Sequence, residues 1–184
     1  MKAYTHKFIQ LFTFSLLMTA CSPGKVISTE LGAGIQEQNY QTFNFYDLKV
    51  DAPEGTPPNP ERVQMLKDAI STELNAVGLE KSDDPDLWVN IGVVVEQKVQ
   101  TRETDIRDAP IYIGQRNYHW EVEEVPVGEY REGTVTIDLV DAASDEMVGQ
   151  AVASSVIVEN DEKLKKRVDH VTAKVFEKLW KEVK

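Results

Sequence analysis

A cysteine, a few carboxylates and two histidines are the groups in this chain with types suited to chemistry, and their spacing limits what that chemistry is. The 184 residues contain a single cysteine, Cys21. No intramolecular disulfide is possible, so the fold must stand without one even in an oxidising compartment. A lone thiol is a buried filler, a reactive nucleophile or a modification site, and its position decides which. Asp138 and Asp141 sit three apart, with Asp145 and Glu146 close behind. Carboxylates so placed can exchange protons with a substrate or hold calcium. Asp141, Ser144 and Asp145 are also residues that turns use, and the spacing is not that of a calcium loop, so a turn is expected. His119 and His170 are the histidines of the chain beyond residue 20. Neither belongs to an HxxxH or HExxH pair, and no GxSxG, GxGxxG or GxxxxGK string is present. These residues give no reason to expect a metal, a cofactor or a catalytic set.

Recognition chemistry is concentrated in residues 101–130, TRETDIRDAPIYIGQRNYHWEVEEVPVGEY. Tyr, Trp and Arg are the side chains that interfaces use as anchors, which makes Tyr112, Arg116, Tyr118, Trp120 and Tyr130 a candidate partner surface. The competing expectation is an additional strand or hairpin, because HWEVEEV alternates well and its aromatics would then pack on a sheet.

The position of Cys21 is informative. Lys2 and Lys7 precede an apolar run from Phe8 to Ala20, a length suited to a secretory signal and too short to span a bilayer. The run ends Leu17-Met18-Thr19-Ala20-Cys21, which resembles the lipobox of bacterial lipoproteins. Ala20 fits the small residue before the cysteine; Met18 stands where leucine is usual, with Leu17 one place earlier. The resemblance implies that residues 1–20 are removed and that Cys21 carries a diacylglyceryl group, with a further acyl chain such as palmitate on its amine. Two or three chains anchor stably where one does so marginally. Ser22 in the following position implies the outer membrane, with the protein facing the periplasm.

The formal net charge of −11 excludes several partners. An acidic surface repels phosphate backbones, so no nucleic acid is expected, and it gains nothing from anionic head groups, so attachment must come from the lipid on Cys21.

The elements that would position these residues follow from periodicity. Residues 21–39, the lipidated cysteine and a Gly- and Ser-containing polar stretch, are expected to be a flexible tether, and 40–184 a single domain. YQTFNFYDLKV, from Tyr40, alternates as a first strand. Asn59-Pro60 starts a helix that runs to about residue 77, with Val63, Leu66, Ile70, Leu74 and Val77 on one stripe and Gly78 as its stop. Leu87, Val89, Ile91, Val93, Val95 and Val99 recur on one face of a second strand, with Trp88, Asn90, Glu96 and Lys98 on the other. GTVTIDLVD and residues 147–158 are expected to pair as a hairpin. Leu164, Val168, Val171, Val175 and Leu179, widened by Phe176 and Trp180, mark a final helix. The expected fold is therefore α+β: a two-layer sandwich with a mixed sheet of about four strands, covered on one face by two helices, in the order strand-helix-strand-strand-strand-helix. The first and second strands are expected to be parallel neighbours.

YQTFNFY at 40–46, PDLWV at 85–89 and YREGTVTIDLVDAASDEMV at 130–148 resemble a family of bacterial lipoproteins known only as domain of unknown function four-one-three-six. In that family the strand after the Gly133–Ala142 string carries a tryptophan after an apolar pair. Here Gly149 stands in that place, which implies that something else fills the tryptophan's volume or that the volume is empty. The resemblance implies a fold and an address and brings no activity with it. The expectation is a membrane-anchored envelope lipoprotein that is not an enzyme and serves as a binding or scaffolding module with an envelope protein as its possible partner. The alternative is a protein that handles a small ligand or lipid, which a cavity lined by Phe45, Val93 and Ile137 would favour.

Overall fold

The computed structural model describes residues 24–32, 40–46, 49–51, 59–103 and 124–181. Seven strands and two helices are found there: β1 (Gly24–Leu31), β2 (Thr42–Phe45), β3 (Lys49–Asp51), α1 (Pro60–Ala76), β4 (Glu80–Lys81), β5 (Leu87–Glu103), β6 (Glu124–Asp141), β7 (Met147–Ile157) and α2 (Asp161–Lys181). They make one mixed sheet in the order β1-β7-β6-β5-β2-β4, with β3 beside β5.

The α+β class and the two helices are as expected from the sequence, and so is the hairpin of β6 and β7, which pair antiparallel. β2 and β5 are parallel neighbours joined through α1. The strand count is corrected, from about four to seven. The expected first strand is split into β2 and β3, both parallel to β5, and the two-residue β4 pairs with β2. The largest correction concerns the tether expected over residues 21–39. Gly24–Leu31 is an edge strand, antiparallel to β7 in seven residue pairs from Gly24↔Ser155 to Leu31↔Gly149. Its polar residues hid it, because an edge strand is half in water and carries weak alternation.

Local chemistry sets the helix ends. Asn59 caps α1, its side chain accepting from the Glu61 and Arg62 amides. At the other end the Gly78 amide donates to the Asn75 carbonyl and the Leu79 amide to that of Leu74. This pattern requires a left-handed residue, and Gly78 supplies it at φ +96°. Asn160 caps α2 through the Lys163 amide. Arg62 donates to Asp161 and to the Glu159 carbonyl, which ties the two helix starts together.

The core lies between the helices and one sheet face. Leu87, Val89 and Ile91 of β5, with Ile137 and Leu139 of β6, are buried against Ile70 and Leu74 of α1 and Val175, Phe176 and Leu179 of α2. Each such side chain contributes about 1.5–3 kcal/mol by leaving water. Phe45 and Val93 pack on this core beside Ile137. Gly149 has a physical account as well. A Cβ there would lie 2.9 Å from Leu31 Cδ2 and 3.4 Å from Leu139 Cδ1. Leu31 of β1 fills the space beside this strand, so the volume is occupied by another side chain.

Candidate functional site

Three places bring functional residue types together: a cleft at one end of the sheet, the sheet face away from the helices, and a two-stranded arm at the other end.

The cleft, about 380 Å³, is lined by Tyr40, Asp84, Pro85, Asp86, Asp141, Ala142 and Ala143. Asp141 ends β6. One carboxylate oxygen accepts from the Ala143 and Ser144 amides and the Ser144 hydroxyl, and the other from the Tyr40 hydroxyl at 2.9 Å. Asp86 Oδ2 accepts from the Gln41 and Thr42 amides and the Thr42 hydroxyl. The Thr42 hydroxyl in turn accepts from the Asp86 amide. These donors hold both carboxylates ionised. The Ser144 amide, then the Tyr40 and Ser144 hydroxyls, lower the Asp141 pKa; the Gln41 amide and the Thr42 hydroxyl lower that of Asp86. Burial and the neighbouring Asp141 carboxylate push the Tyr40 hydroxyl up to about 12. A carboxylate with depressed pKa and its lone pairs occupied is a poor proton carrier. The pair act as clamps, Asp86 on the start of β2 and Asp141 on the β6–β7 turn, as the turn expectation for Asp141 requires. Asp145 completes that turn at φ 57°.

On the open sheet face Asp138 lies between two amides, accepting from Asn90 Nδ2 at 2.9 Å and Gln150 Nε2 at 2.8 Å. This cross-strand tie spans β5, β6 and β7 and also spends its carboxylate on structure. Tyr46 stacks on Trp88 at 4.9 Å between ring centroids. His170 is exposed on α2. Among the described residues no three His, Cys, Asp or Glu side chains are grouped to hold a metal ion.

The arm is made of the distal parts of β5 and β6. β7 accompanies β6 only to Arg131, and β3 accompanies β5 only to Val94. Beyond them, among the described residues, the ladder of β5 and β6 continues without a further strand to Glu103↔Glu124. Lys98–Glu103 and Glu124–Tyr130 thus project about 20 Å past the body of the sheet, at about 3.3 Å per residue. At its root Lys98 bridges Glu132 at 2.7 Å and Glu96 at 3.5 Å. That ammonium, followed by the Ser154 hydroxyl, holds Glu132 below its usual pKa. Further out Val99 and Val127 are 55% and 50% exposed.

Of the expected partner residues, Tyr130 lies on the arm, opposite Lys98, and lines a shallow cleft of about 310 Å³ with Gln100, Glu132 and Val156. Tyr112, Arg116, Tyr118, Trp120 and His119 lie outside the described residues, as do Cys21 and the segment 1–20. The ends of 101–130 are therefore extensions of two strands already expected. Val99 is on the second strand as expected, but it is exposed rather than on a buried face. Sequence reasoning missed Val127 and the length of the arm, because a ribbon wetted on both faces has weaker alternation than a half-buried strand.

A family model described as a domain of unknown function, DUF4136, matches residues 29–179. The chain belongs to the DUF4136 family. Among curated proteins none matches it in sequence. Solved structures are similar to this DUF4136 chain only at low identity and low TM-score. A PelC dodecamer from Paraburkholderia phytofirmans is 12% identical with a TM-score of 0.47, over 85% of this chain and 96% of the other. A PDZ domain protein from Parabacteroides distasonis is 13% identical with a TM-score of 0.44, over 86% of this chain, which spans 38% of the other. A putative neuraminyllactose-binding hemagglutinin homolog from Helicobacter pylori is 14% identical with a TM-score of 0.42, over 79% of this chain and 84% of the other.

Proposed function

We propose that this DUF4136 protein is held to a membrane of the cell envelope by lipid on Cys21, in the outer membrane facing the periplasm, and works there as a non-enzymatic binding or scaffolding module whose contact surface is the β5–β6 arm. The observation that carries the binding reading is the arm itself. A two-stranded ribbon beyond the sheet adds little to the core and exposes Val99 and Val127. The carboxylates with types suited to catalysis are meanwhile committed to turns and cross-strand ties. The small-ligand alternative has less support, since Phe45, Val93 and Ile137 pack together as core.

Two measurements test this. Cys21→Ala should move the protein from the membrane to the soluble fraction, and the mature wild type should carry the mass of a lipidated amino-terminal cysteine. A variant that stays with membranes, beside a wild type without lipid mass, would sink the anchor. A photoreactive residue in place of Tyr130 should give adducts in cells and one in place of Asn75 should not. Silence at Tyr130 would remove the arm as a binding surface.

A further inference from the structure

The register of the sheet fixes which end of the molecule its membrane attachment leaves from. Gly24 pairs with Ser155, Ser155 with Gly133, and Gly133 with Val95. These four residues make one row across β1, β7, β6 and β5. The chain enters β1 at this row, and the arm runs out beyond it on the same end. Gly24 follows Cys21 by three peptide steps, which reach at most about 11 Å whatever their conformation. From the same row the arm extends eight residue pairs, Glu96↔Glu132 to Glu103↔Glu124 allowing for one bulge, or about 26 Å. The arm is thus longer than the link. We infer that, with Cys21 lipidated, the arm end of the sheet faces the bilayer and the β5–β6 arm rests in its headgroup layer. This rests on the anchored reading above and names the surface that the arm meets.

Charge and backbone chemistry agree on the depth and the kind of contact. Lys98–Glu103 and Glu124–Tyr130 together hold two basic and three acidic residues, nearly balanced in a chain of net charge −11. Glu61, Glu159, Asp161 and Glu162 stand at the helix starts on the same end. Attraction to anionic lipid therefore does not drive the contact; the anchor supplies proximity, and Val99 and Val127 supply apolar surface. Glu103 and Glu124 keep the arm out of the hydrocarbon. Pairing with a strand of another protein is disfavoured on the β6 edge, where Pro126 lacks an amide and the register shifts.

The test uses the mature protein purified from membranes and reconstituted in phosphatidylcholine vesicles, with an environment-sensitive fluorophore on Val127→Cys, Val99→Cys or, at the far end, Asn75→Cys. A thioether-linked Cys21 does not take the label. Lipid brominated near the top of its acyl chains should reduce emission at Val127 and Val99 by about twofold and leave Asn75 unchanged. The same arm quenching is expected when part of the phosphatidylcholine is replaced by phosphatidylglycerol. Lipid mass on Cys21 with arm labels no more quenched than Asn75 would overturn the inference and leave the anchor standing. No lipid mass on Cys21 would overturn both. A discrete protein adduct at Tyr130 in place of quenching would give the arm to a protein partner instead.

Discussion

Tyr40 and Asp141 lie 101 residues apart in sequence and meet in one hydrogen bond that makes the fold sensitive to pH at both ends. Folding lowers the Asp141 pKa below its ordinary 3.8. Its contribution is therefore fully present above about pH 4 and is lost as the pH falls through the depressed value. Folding raises Tyr40 from 10.0 to about 12, so the stability linked to its proton is full below 10 and drains away as the pH rises toward 12. Tyr40→Phe should cost about 1–2 kcal/mol near neutral pH by removing a hydrogen bond to a charged acceptor. Urea titrations across pH should also show that the alkaline decline between 10 and 12 shrinks in the variant. An unchanged alkaline limb would mean that another group governs it.

At the scale of elements, β1 is the part of the fold least visible beforehand and the one whose role is easiest to check. Leu31 packs on the core and occupies the space beside Gly149. Gly149→Val should destabilise by about 1–3 kcal/mol, because its side chain would have to displace Leu31. Leu31→Ala should itself destabilise by leaving a gap. Combined, the two should cost less than their sum, since each relieves the other, and a double-mutant cycle by chemical denaturation reads this directly. Strict additivity would mean that Leu31 and Gly149 do not share the site in solution. The same pair accounts for the glycine at 149: an aliphatic side chain from a neighbouring strand takes the volume beside it.

For the molecule as a whole, stability is distributed unevenly along β5 and β6. Their proximal halves are flanked by other strands and covered by both helices, with Val89 and Leu139 wholly buried. Among the described residues their distal halves pair with each other and with no further strand, and they carry half-exposed valines. Local opening should therefore be far easier in the arm. Amide hydrogen exchange at Val99, Gln100 and Val127 is expected to be orders of magnitude faster than at Val89, Ile91 and Leu139, and slower again when the lipidated protein is on vesicles. Uniform protection along both strands in solution would show that the arm is covered by something else. Among the described residues no helix is long and apolar enough to cross a membrane.

The sequence by itself determined what depends on near neighbours. The apolar stripes of α1 and α2, the Asn59 cap, the Gly78 stop, the alternation of Leu87, Val89 and Ile91 and the Asp141 turn are each specified within a few residues, because capping, turn geometry and one-sided burial are local. The parallel placement of β2 and β5 also followed, since a helix between two strands leaves few other connections. Tertiary structure decided the rest. Gly24–Leu31 reads as polar tether because half of an edge strand belongs to water, and only its pairing with β7 gives it a fold. The arm was legible only in part for a related reason: HWEVEEV alternates enough to suggest a strand, but strands wetted on both faces carry too weak a pattern to show that its Glu124 end continues the strand from Gly133. The candidate site depends on both. That Cys21 stands three positions before the sheet is written in the chain. That the chain leaves from the end where Val99 and Val127 project follows only from the register of β1, β7, β6 and β5, and the hydrogen bonds that tie β1 to β7 join residues more than a hundred positions apart.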